Sequence, residues 1–355
     1  MTSTADTPRP IRQEAQRATD EIAELAPGVL RTQLPIDLPG LGHVNMYVLE
    51  DERGVTVVDP GMPGRESFMV LKSRLKEIGV PLKRVHSVLV THSHPDHYGG
   101  AGRLRKEVGA EIIAHKRFRL WWDPKEPPDV DVEDVPFIKA HIRPNGSTPW
   151  GGQGYDIPWS RRFQLRTHAR FPRVFGVPHP SRRVEEGDRI TLARREWLAI
   201  HTPGHTEDHL CLLDPESGLL ISGDHVLPTI TPHISGMTHA PDPLKEFFGS
   251  LDKIESLGSQ MTMALPAHGS PFNNVAERVS HIKAHHVERL EKLREIGAEF
   301  DRPATVMDIA KHLFSARAQG PMADSETYAH LEHLRLAGEF DCRERDGFLE
   351  YVRVN

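Results

Sequence analysis

Four potential metal ligands fall within six consecutive residues of this sequence, directly after an apolar run at residues 85–90. They are His92, His94, Asp96 and His97. Imidazole nitrogens and carboxylate oxygens are the donors that zinc and similar divalent ions accept. The apolar run predicts a buried strand. A strand that leads into this many ligands indicates a metal site at its end, since such side chains do not build a hydrophobic core.

Further ligands are needed, because one short loop cannot surround a metal ion. Three later segments supply them, each at a tight turn after an apolar run: Thr-Pro-Gly-His205, Ser-Gly-Asp224 and Pro-Ala-His268. A lone histidine in one of these places would be better explained as a core or turn residue. Seven such residues at predicted strand ends favour a metal centre.

The frame that positions the ligands is predicted from the spacing of the apolar residues. Strands are predicted at 28–32, 43–49, 55–59, 85–90, 111–114, 189–192, 197–200, 210–213, 219–222 and 261–265. Helices are predicted at 66–78, 98–108, 243–257 and 275–296. The result is two β-rich halves with helices around them, an α/β arrangement in which the ligands lie on loops after strands.

Length and composition limit the function. The chain has 355 residues, of which 22 are histidine, and a formal net charge of −6. The molecule as a whole is therefore not expected to attract nucleic acid. Its two cysteines, Cys211 and Cys342, cannot form a disulfide framework. Because the first residues lack a basic and apolar leader and no run is long enough to span a bilayer, we expect a cytoplasmic protein without membrane contact.

Four parts are predicted along the chain: an N-terminal arm at 1–25, a main domain at 26–272, a linker helix at 273–300 and a C-terminal domain at 301–355. Within the main domain, residues 116–187 show no clear period and are predicted to be an insertion. The arm is polar and is expected to be loose or to form an edge helix. In the linker helix, His285 and His286 are predicted to lie on a solvated face.

The insertion carries seven arginines and no acidic residue between positions 160 and 184. They are Arg161, Arg162, Arg166, Arg170, Arg173, Arg182 and Arg183. One hypothesis is that Arg161, Arg162 and Arg166 bind an anionic group of a small-molecule substrate, such as the phosphates of an acyl-coenzyme A. A structural role is slightly favoured over it, in which the arginines pair with the preceding acidic residues or form a homodimer interface.

The C-terminal domain is predicted to contain two helices, at 305–314 and 325–337, and a hairpin that turns at Asp346 and Gly347. This order of elements resembles a winged helix. From residue 302 onward the chain has seven Arg or Lys and nine Asp or Glu. Such a domain has little charge with which to neutralise phosphates. We therefore expect a packing or dimerisation element, and nucleic-acid binding is not favoured.

In their order along the chain, the ligands resemble those of the metallo-β-lactamase superfamily. The closer likeness is to its dinuclear hydrolase branch, which includes glyoxalase II and RNA-cleaving enzymes. The likeness covers residues 28–270 and includes the segment Val57-Val-Asp59-Pro-Gly61. The C-terminal outline resembles the lactamase-B2-like proteins. The resemblance implies a four-layer αββα sandwich followed by a winged-helix-like domain.

The resemblance also implies a site for two divalent metal ions, with zinc as the first choice and Mn²⁺ or Fe as alternatives. His92, His94 and His205 would bind one ion, and Asp96, His97 and His268 the other. Asp224 would bridge both ions. Asp59 would orient a ligand histidine or else be a turn residue. His225 would face the substrate or donate a proton, or else be structural. Asp96, Asp224 and His225 are the candidate catalytic residues.

The chemistry that the resemblance implies is hydrolysis. Two ions about 3.5–4 Å apart can share a hydroxide as the nucleophile. A thioester releases a thiolate with a pKa of about 8.5, which needs no acid, whereas a phosphodiester releases an alkoxide that is helped by a proton donor. A thioester such as acyl-coenzyme A, or an ester or lactone, is therefore favoured. A single-strand endoribonuclease is the alternative, and a metal-stabilised binding or regulatory module is the non-enzymatic one. Since no cysteine ligand is present, cleavage of β-lactams is not favoured.

Overall fold

Two β-sheets packed face to face form the centre of the protein in a computed structural model, which describes residues 12–120, 148–152, 159–238 and 240–354. Of Arg161, Arg162 and Arg173 it describes the backbone only. The first sheet has seven strands in chain order: β1 (Ala23–Ala26), β2 (Val29–Leu38), β3 (Leu41–Glu50), β4 (Val55–Val58), β5 (Val85–Leu89), β6 (Glu111–His115) and β7 (Arg182–Val184). The second has the spatial order β12-β11-β10-β9-β8, where the strands are β8 (Arg189–Leu192), β9 (Arg195–His201), β10 (Leu210–Asp214), β11 (Leu219–Gly223) and β12 (Met263–Pro266).

Helices surround the sheets, and some of them cover the outer sheet faces. They are α1 (Arg65–Ile78), α2 (Pro95–Tyr98), α3 (Ala101–Val108), α4 (Trp159–Arg170), α5 (Pro172–Phe175), α6 (Pro243–Ser256) and α7 (Val275–Glu299). Phe68 of α1 and Leu104 of α3 pack on the first sheet, while Phe247 of α6 packs on the second. The prediction of a four-layer αββα sandwich is confirmed.

Successive side chains of a strand point to opposite faces of its sheet, and this alternation divides the core into layers. In β3, Met46 and Val48 point to the outer helices, whereas Tyr47 and Leu49 point into the space between the sheets. There they meet residues of the second sheet such as Trp197, which is fully buried. Successive strand residues point to opposite faces, so each strand that is buried on both sides reads as a continuous apolar run.

Most of the ligand loops lie at the carboxyl ends of parallel strands. β4, β5 and β6 pair in parallel in the first sheet, and β11 and β12 pair in parallel in the second. The carboxyl ends of neighbouring parallel strands meet at one edge of a sheet, where open α/β sheets bind their ligands. The loops after β5, β11 and β12 carry six of the seven predicted ligands, and Asp59 directly follows β4. The seventh, His205, lies in the loop that joins the antiparallel strands β9 and β10.

The C-terminal part contains the elements that the sequence predicted. They are α8 (Val306–Leu313), α9 (Pro321–Leu336), β14 (Phe340–Arg345) and β15 (Phe348–Arg353), and a short strand that was not predicted, β13 (Ala304–Thr305), pairs with β15. Asp346 and Gly347 form the two-residue turn with φ of 51° and 81°, values that suit a hairpin turn. Buried side chains of α8 and α9 join the same core as α6 and α7, so this part packs on the outer helix layer of the sandwich.

Three stretches differ from what the sequence led us to expect. The arm is not loose from Arg12 onward: Glu14 is fully buried, where it accepts hydrogen bonds from the backbone of Thr229 and Ile230, and the arm continues into strand β1. The insertion holds α4, α5 and β7 although it has no clear period, and its residues 121–147 and 153–158 lie outside the described residues.

The third difference concerns the linker helix. The prediction of a solvated face was wrong for His286, which is fully buried. It lies four residues after Ile282 and four before Leu290, and therefore on the apolar face of α7. No helix in the described part of the chain is long and apolar enough to cross a bilayer.

Candidate metal centre

Three histidines and one aspartate form the first group of potential ligand atoms. They are His92, His94, His205 and Asp224, and their ligand atoms lie within 4.8 Å of one another. Nδ1 of His94 is 3.0 Å from Nε2 of His92 and 3.2 Å from Nε2 of His205. Three nitrogens at this spacing can share one divalent ion.

A second group of ligands lies beside the first. Asp96, His97 and His268 also place their ligand atoms within 4.8 Å of one another. Oδ2 of Asp96 is 3.4 Å from Nε2 of His97 and 3.5 Å from Nε2 of His268. Asp96 and His97 belong to the short helix α2, whose N-terminus follows His94 directly, so the chain passes from one group to the other within three residues.

Asp224 lies between the two groups. Its Oδ2 is 3.6 Å from Nε2 of His205 in the first group and 3.7 Å from Nε2 of His97 in the second. Its Oδ1 is 3.3 Å from Nε2 of His268. A carboxylate with contacts to both groups suits the bridging position that the sequence predicted for it.

The buried atoms of the centre fit a pair of divalent ions. Nε2 of His97, Nε2 of His268 and Oδ1 of Asp224 are buried and have no hydrogen-bond partner. Burial and the neighbouring imidazoles hold the pKa of His92 well below its usual value, and the pKa of His94 is lowered to about 3. Both rings are therefore neutral, which is the form that binds a metal.

Two of the ligand histidines have a raised pKa because they face carboxylates. Burial alone would lower the pKa of His97 and His268, but Asp96 and Asp224 outweigh it and raise both values. Burial would likewise raise the pKa of both carboxylates, yet the imidazoles lower it. The carboxylates of Asp96 and Asp224 therefore favour positive charge close to them, and a divalent ion would supply that charge.

Two of the ligand rings are oriented by backbone carbonyl groups behind them. His205 donates from Nδ1 to the carbonyl of His233 (2.8 Å), and His268 donates to the carbonyl of His43 (2.6 Å). The other ring nitrogen, Nε2, then faces the centre in both cases. Such partners fix the tautomer and the orientation of metal-binding histidines.

Asp59 orients His97 from the end of β4. Its Oδ2 accepts hydrogen bonds from Nδ1 of His97 (2.9 Å) and from Oγ1 of Thr91 (2.7 Å), and its Oδ1 accepts from the backbone N–H of Thr91. Asp59 has a left-handed φ of 51°, which is uncommon for a residue other than glycine. The backbone strain and the three hydrogen bonds favour the orienting role over that of an ordinary turn residue.

Replacing Asp59 with asparagine is expected to weaken the binding of one metal ion by about 10–100-fold. An amide has only one acceptor oxygen for these three donors, so the ring of His97 loses its partner or its orientation. Competition with a chelator measures the change. Asp51→Asn is the matched control, because Asp51 also binds a histidine, His86, at 3.1 Å but touches no ligand. Equal metal affinity in both variants would contradict the role of Asp59.

His209 is a supporting residue whose part the sequence did not define. Its Nδ1 donates to Oγ1 of Thr202 (2.7 Å), and its Nε2 accepts from the backbone N–H of Asp224 (3.0 Å). It thereby fixes the backbone of the bridging residue. A side chain on Gly223 would clash with this ring, since a Cβ there would lie 2.6 Å from Nε2 of His209.

His225 lies in the core behind the centre. It is fully buried, its ring packs edge-on against Phe247, and burial lowers its pKa to about 3. These surroundings suit a structural residue better than the proton donor that the sequence suggested, and that role stays a prediction. Asp208 is buried beside the ligand loop, where it accepts from Ser93 at 2.9 Å, and burial raises its pKa to about 7. Burial raises the pKa of Cys211 to about 12, so its thiol is not a ready nucleophile.

The candidate substrate arginines do not join the ligand cluster. Arg166 is exposed on α4, and the side chains of Arg161 and Arg162 lie outside the described residues. The turn after α5 approaches α3 closely, because a Cβ on Gly102 would overlap the carbonyl of Gly176. The arginine-bearing helix pair therefore lies next to the helix that follows the ligand loop, and its binding role stays a prediction.

Comparisons with known proteins identify the family and the fold. The model of the metallo-beta-lactamase superfamily matches residues 39–299. A metallo-beta-lactamase family protein from Thermus thermophilus has a similar crystal structure, with 28% identity and a TM-score of 0.71, over 93% of this chain and 100% of its own. The “Probable metallo-hydrolase YqjP” of Bacillus subtilis (strain 168) is 24% identical over 321 residues, which are 83% of this chain and 88% of its own.

A third relative is named as a thioesterase. The “Atrochrysone carboxyl ACP thioesterase” of Passalora fulva is 26% identical over 337 residues, which are 94% of this chain and 76% of that protein. The relatives thus include hydrolases, and the match to the family model extends over most of the sandwich and all seven ligands. This chain belongs to the metallo-beta-lactamase superfamily.

Proposed function

We propose that the protein is a metal-dependent thioesterase, which acts on an acyl-coenzyme A or a similar acyl carrier and accepts esters or lactones as related substrates. The observation that carries the proposal is the position of His225, the predicted proton donor, whose ring packs against Phe247 in the core and is not one of the clustered ligand groups. Asp208 is buried as well. A thiolate leaves without a proton donor, whereas an alkoxide leaves poorly without one.

The predicted ligands would hold two metal ions, and other residues would keep the ligands in place. When bound, two divalent ions would polarise the substrate carbonyl and lower the pKa of water. One ion would be held by His92, His94 and His205. The other ion would be held by Asp96, His97 and His268, and Asp224 would contact both ions. Behind them, Asp59 and His209 keep His97 and the backbone of Asp224 in place. Zinc suits this set of imidazoles and carboxylates, as do Mn²⁺ and Fe.

Two further observations support a thioester over RNA. The relative from Passalora fulva is a thioesterase by name. The helix of the C-terminal domain that would enter a nucleic-acid groove, α9, is largely packed within the protein, and only Pro321, Met322 and Leu336 of it are exposed. A helix must present a free face to bind a groove. The endoribonuclease alternative is therefore less well supported.

A hydrolysis panel tests the proposal. Acyl-coenzyme A thioesters are expected to be cleaved with a kcat/KM at least about 10-fold above that for lactones, aryl phosphodiesters and single-stranded RNA. The same panel on an Arg166→Glu/Arg170→Glu variant tests the anionic part of the substrate, with Arg53→Glu as an exposed control. Loss of the arginines is expected to raise KM for acyl-coenzyme A about 10-fold. Cleavage of RNA alone would overturn the proposal.

A further inference from the structure

A loop between β11 and α6 supplies the carbonyl group that orients one metal ligand. We call residues 229–238 the supporting loop. Within it, the carbonyl of His233 accepts the hydrogen bond from Nδ1 of His205. The position of His205 therefore depends on the position of the loop backbone. This dependence raises the question of what holds the loop itself.

Helix α9 of the C-terminal part holds the supporting loop from one side. Oγ of Ser325 accepts a hydrogen bond from the backbone N–H of Gly236 (2.9 Å). A Cβ on Gly236 would lie 2.5 Å from the ring of Tyr328, so the loop backbone lies directly against the helix. The next residue of α9, Glu326, places Oε2 3.4 Å from Nδ1 of His233. Two adjacent side chains of α9 thus bind two points of the loop.

Glu326 is itself fixed from its other side. Arg289 of α7 forms an ion pair with its Oε1, and only 12% of the side chain of Glu326 is exposed. Burial would raise the pKa of this carboxyl, but His233 and Arg289 lower it to about 2. The carboxylate is therefore ionised, and it connects the long helix α7 with the supporting loop through charge-assisted contacts.

Two buried histidines complete the surroundings of Glu326. His330 donates from Nδ1 to the backbone carbonyl of Glu326 (2.7 Å), and Nδ1 of His286 lies 3.1 Å from Nε2 of His330. Ligand atoms of His286, Glu326 and His330 lie within 4.8 Å of one another, as they would around a third metal ion. The ion pair with Arg289 speaks against such an ion, because a cation would have to displace the guanidinium group from Glu326.

We infer that Glu326 is a positioning residue for the metal centre, through which the C-terminal part holds the supporting loop and with it the ligand His205. The inference rests on the metal centre of the proposed function, but it does not depend on which bond is hydrolysed. It assigns the C-terminal part a role in the active site. The contacts run from Arg289 to Glu326, from Glu326 to His233, and from the carbonyl of His233 to the ring of His205.

The Glu326→Gln variant tests this role because it keeps the shape of the side chain and removes its charge. We expect one of the two ions to bind about 3- to 10-fold more weakly, which is less than the 10–100-fold typical of a direct partner of a ligand. The other ion should bind as before. A stepwise titration with Zn²⁺ against a chromogenic chelator resolves the two ions. We also expect kcat to fall by a similar factor at an unchanged KM, because Glu326 acts on the metal centre only through His233 and His205.

The matched control is Glu332→Gln. Glu332 lies on the same helix and binds Arg335 and the hydroxyl group of Tyr351, but it has no contact with the supporting loop. This variant is expected to lower Tm and to leave both metal affinities unchanged. Ser325→Ala is a second test that does not disturb the ion pair, and it should weaken the same ion as Glu326→Gln.

Three results would overturn the inference. Equal metal affinities in Glu326→Gln, Glu332→Gln and the unchanged protein would reduce Glu326 to a role in stability. A third equivalent of zinc that is lost in Glu326→Gln would identify its surroundings as a metal site. If the unchanged protein binds no ion, the proposed metal centre is wrong. If Glu326→Gln and Ser325→Ala bind both ions as firmly as the unchanged protein, the metal centre stands and only the role of Glu326 is wrong.

Discussion

Replacing Asp224 with alanine is expected to lower kcat/KM about 10³-fold or more for every substrate that the protein hydrolyses. Its carboxylate contacts both ligand groups, with Oδ2 3.6 Å from Nε2 of His205 and Oδ1 3.3 Å from Nε2 of His268. Its loss removes a ligand from each ion and leaves both open to release. A contribution of several kcal/mol from bound ions corresponds to a rate factor of about 10³ or more.

Elemental analysis and kinetics on the same Asp224→Ala preparation measure both consequences. The matched control is Asp214→Ala, because Asp214 is also a buried aspartate of the second sheet. It binds Arg195 and Ser217 and lies outside the ligand groups. We expect this control to lose stability and to keep its ions and its kcat. Full activity with both ions retained in Asp224→Ala would remove the bridging role.

The ligands of this centre could be predicted from the sequence because they are side chains of distinctive type in a fixed order. Asp96 and His97 stand beside His94 in one segment, and each later ligand follows a predicted strand. The strand ends could be predicted because buried parallel strands read as apolar runs. Side-chain type and periodicity were thus sufficient to predict the metal ligands and the strands that position them.

The groups that support the ligands were harder to predict, because several of them are backbone atoms. The carbonyl of His233 has no sequence signature, although it orients His205. The sequence predicts that Glu14 lies in a loose arm or an edge helix, since a single acid in a polar segment gives no sign that a distant loop will bury it. Such contacts depend on tertiary packing and become visible only when the fold brings distant segments together.

Two errors have the opposite cause, because residue type concealed the pattern. His286 was assigned to a solvated face since it is polar, although its spacing from Ile282 and Leu290 places it on the apolar face of α7. The helix α4 was missed because apolar residues such as Trp159 and Phe163 are exposed on it. A helix that does not bury its large apolar residues lacks the period by which helices are recognised.

Removal of the metal ions is expected to abolish hydrolysis and to lower Tm by roughly 10 °C. At a free concentration of 1,000 times Kd, each bound ion stabilises the folded state by about 4 kcal/mol, and one kcal/mol shifts Tm by only about 1–2 °C in a protein of this size. Without the ions, the buried carboxylates of Asp96 and Asp224 depend on neighbouring imidazoles, above all those of His97 and His268, to balance their charge. Those rings must then take up protons that an ion would displace, so the centre is less stable without its ions.

Dialysis against a chelator, followed by calorimetry and an activity assay, measures the loss. Addition of Zn²⁺, Mn²⁺ or Fe²⁺ to the dialysed protein then shows which ion restores both Tm and activity, and at what stoichiometry. Two equivalents are expected, because the ligands form two groups around Asp224. Restoration at one equivalent would contradict the dinuclear assignment. Activity that survives the removal of both ions would mean that the imidazoles and carboxylates at these strand ends do not carry out the hydrolysis through a metal.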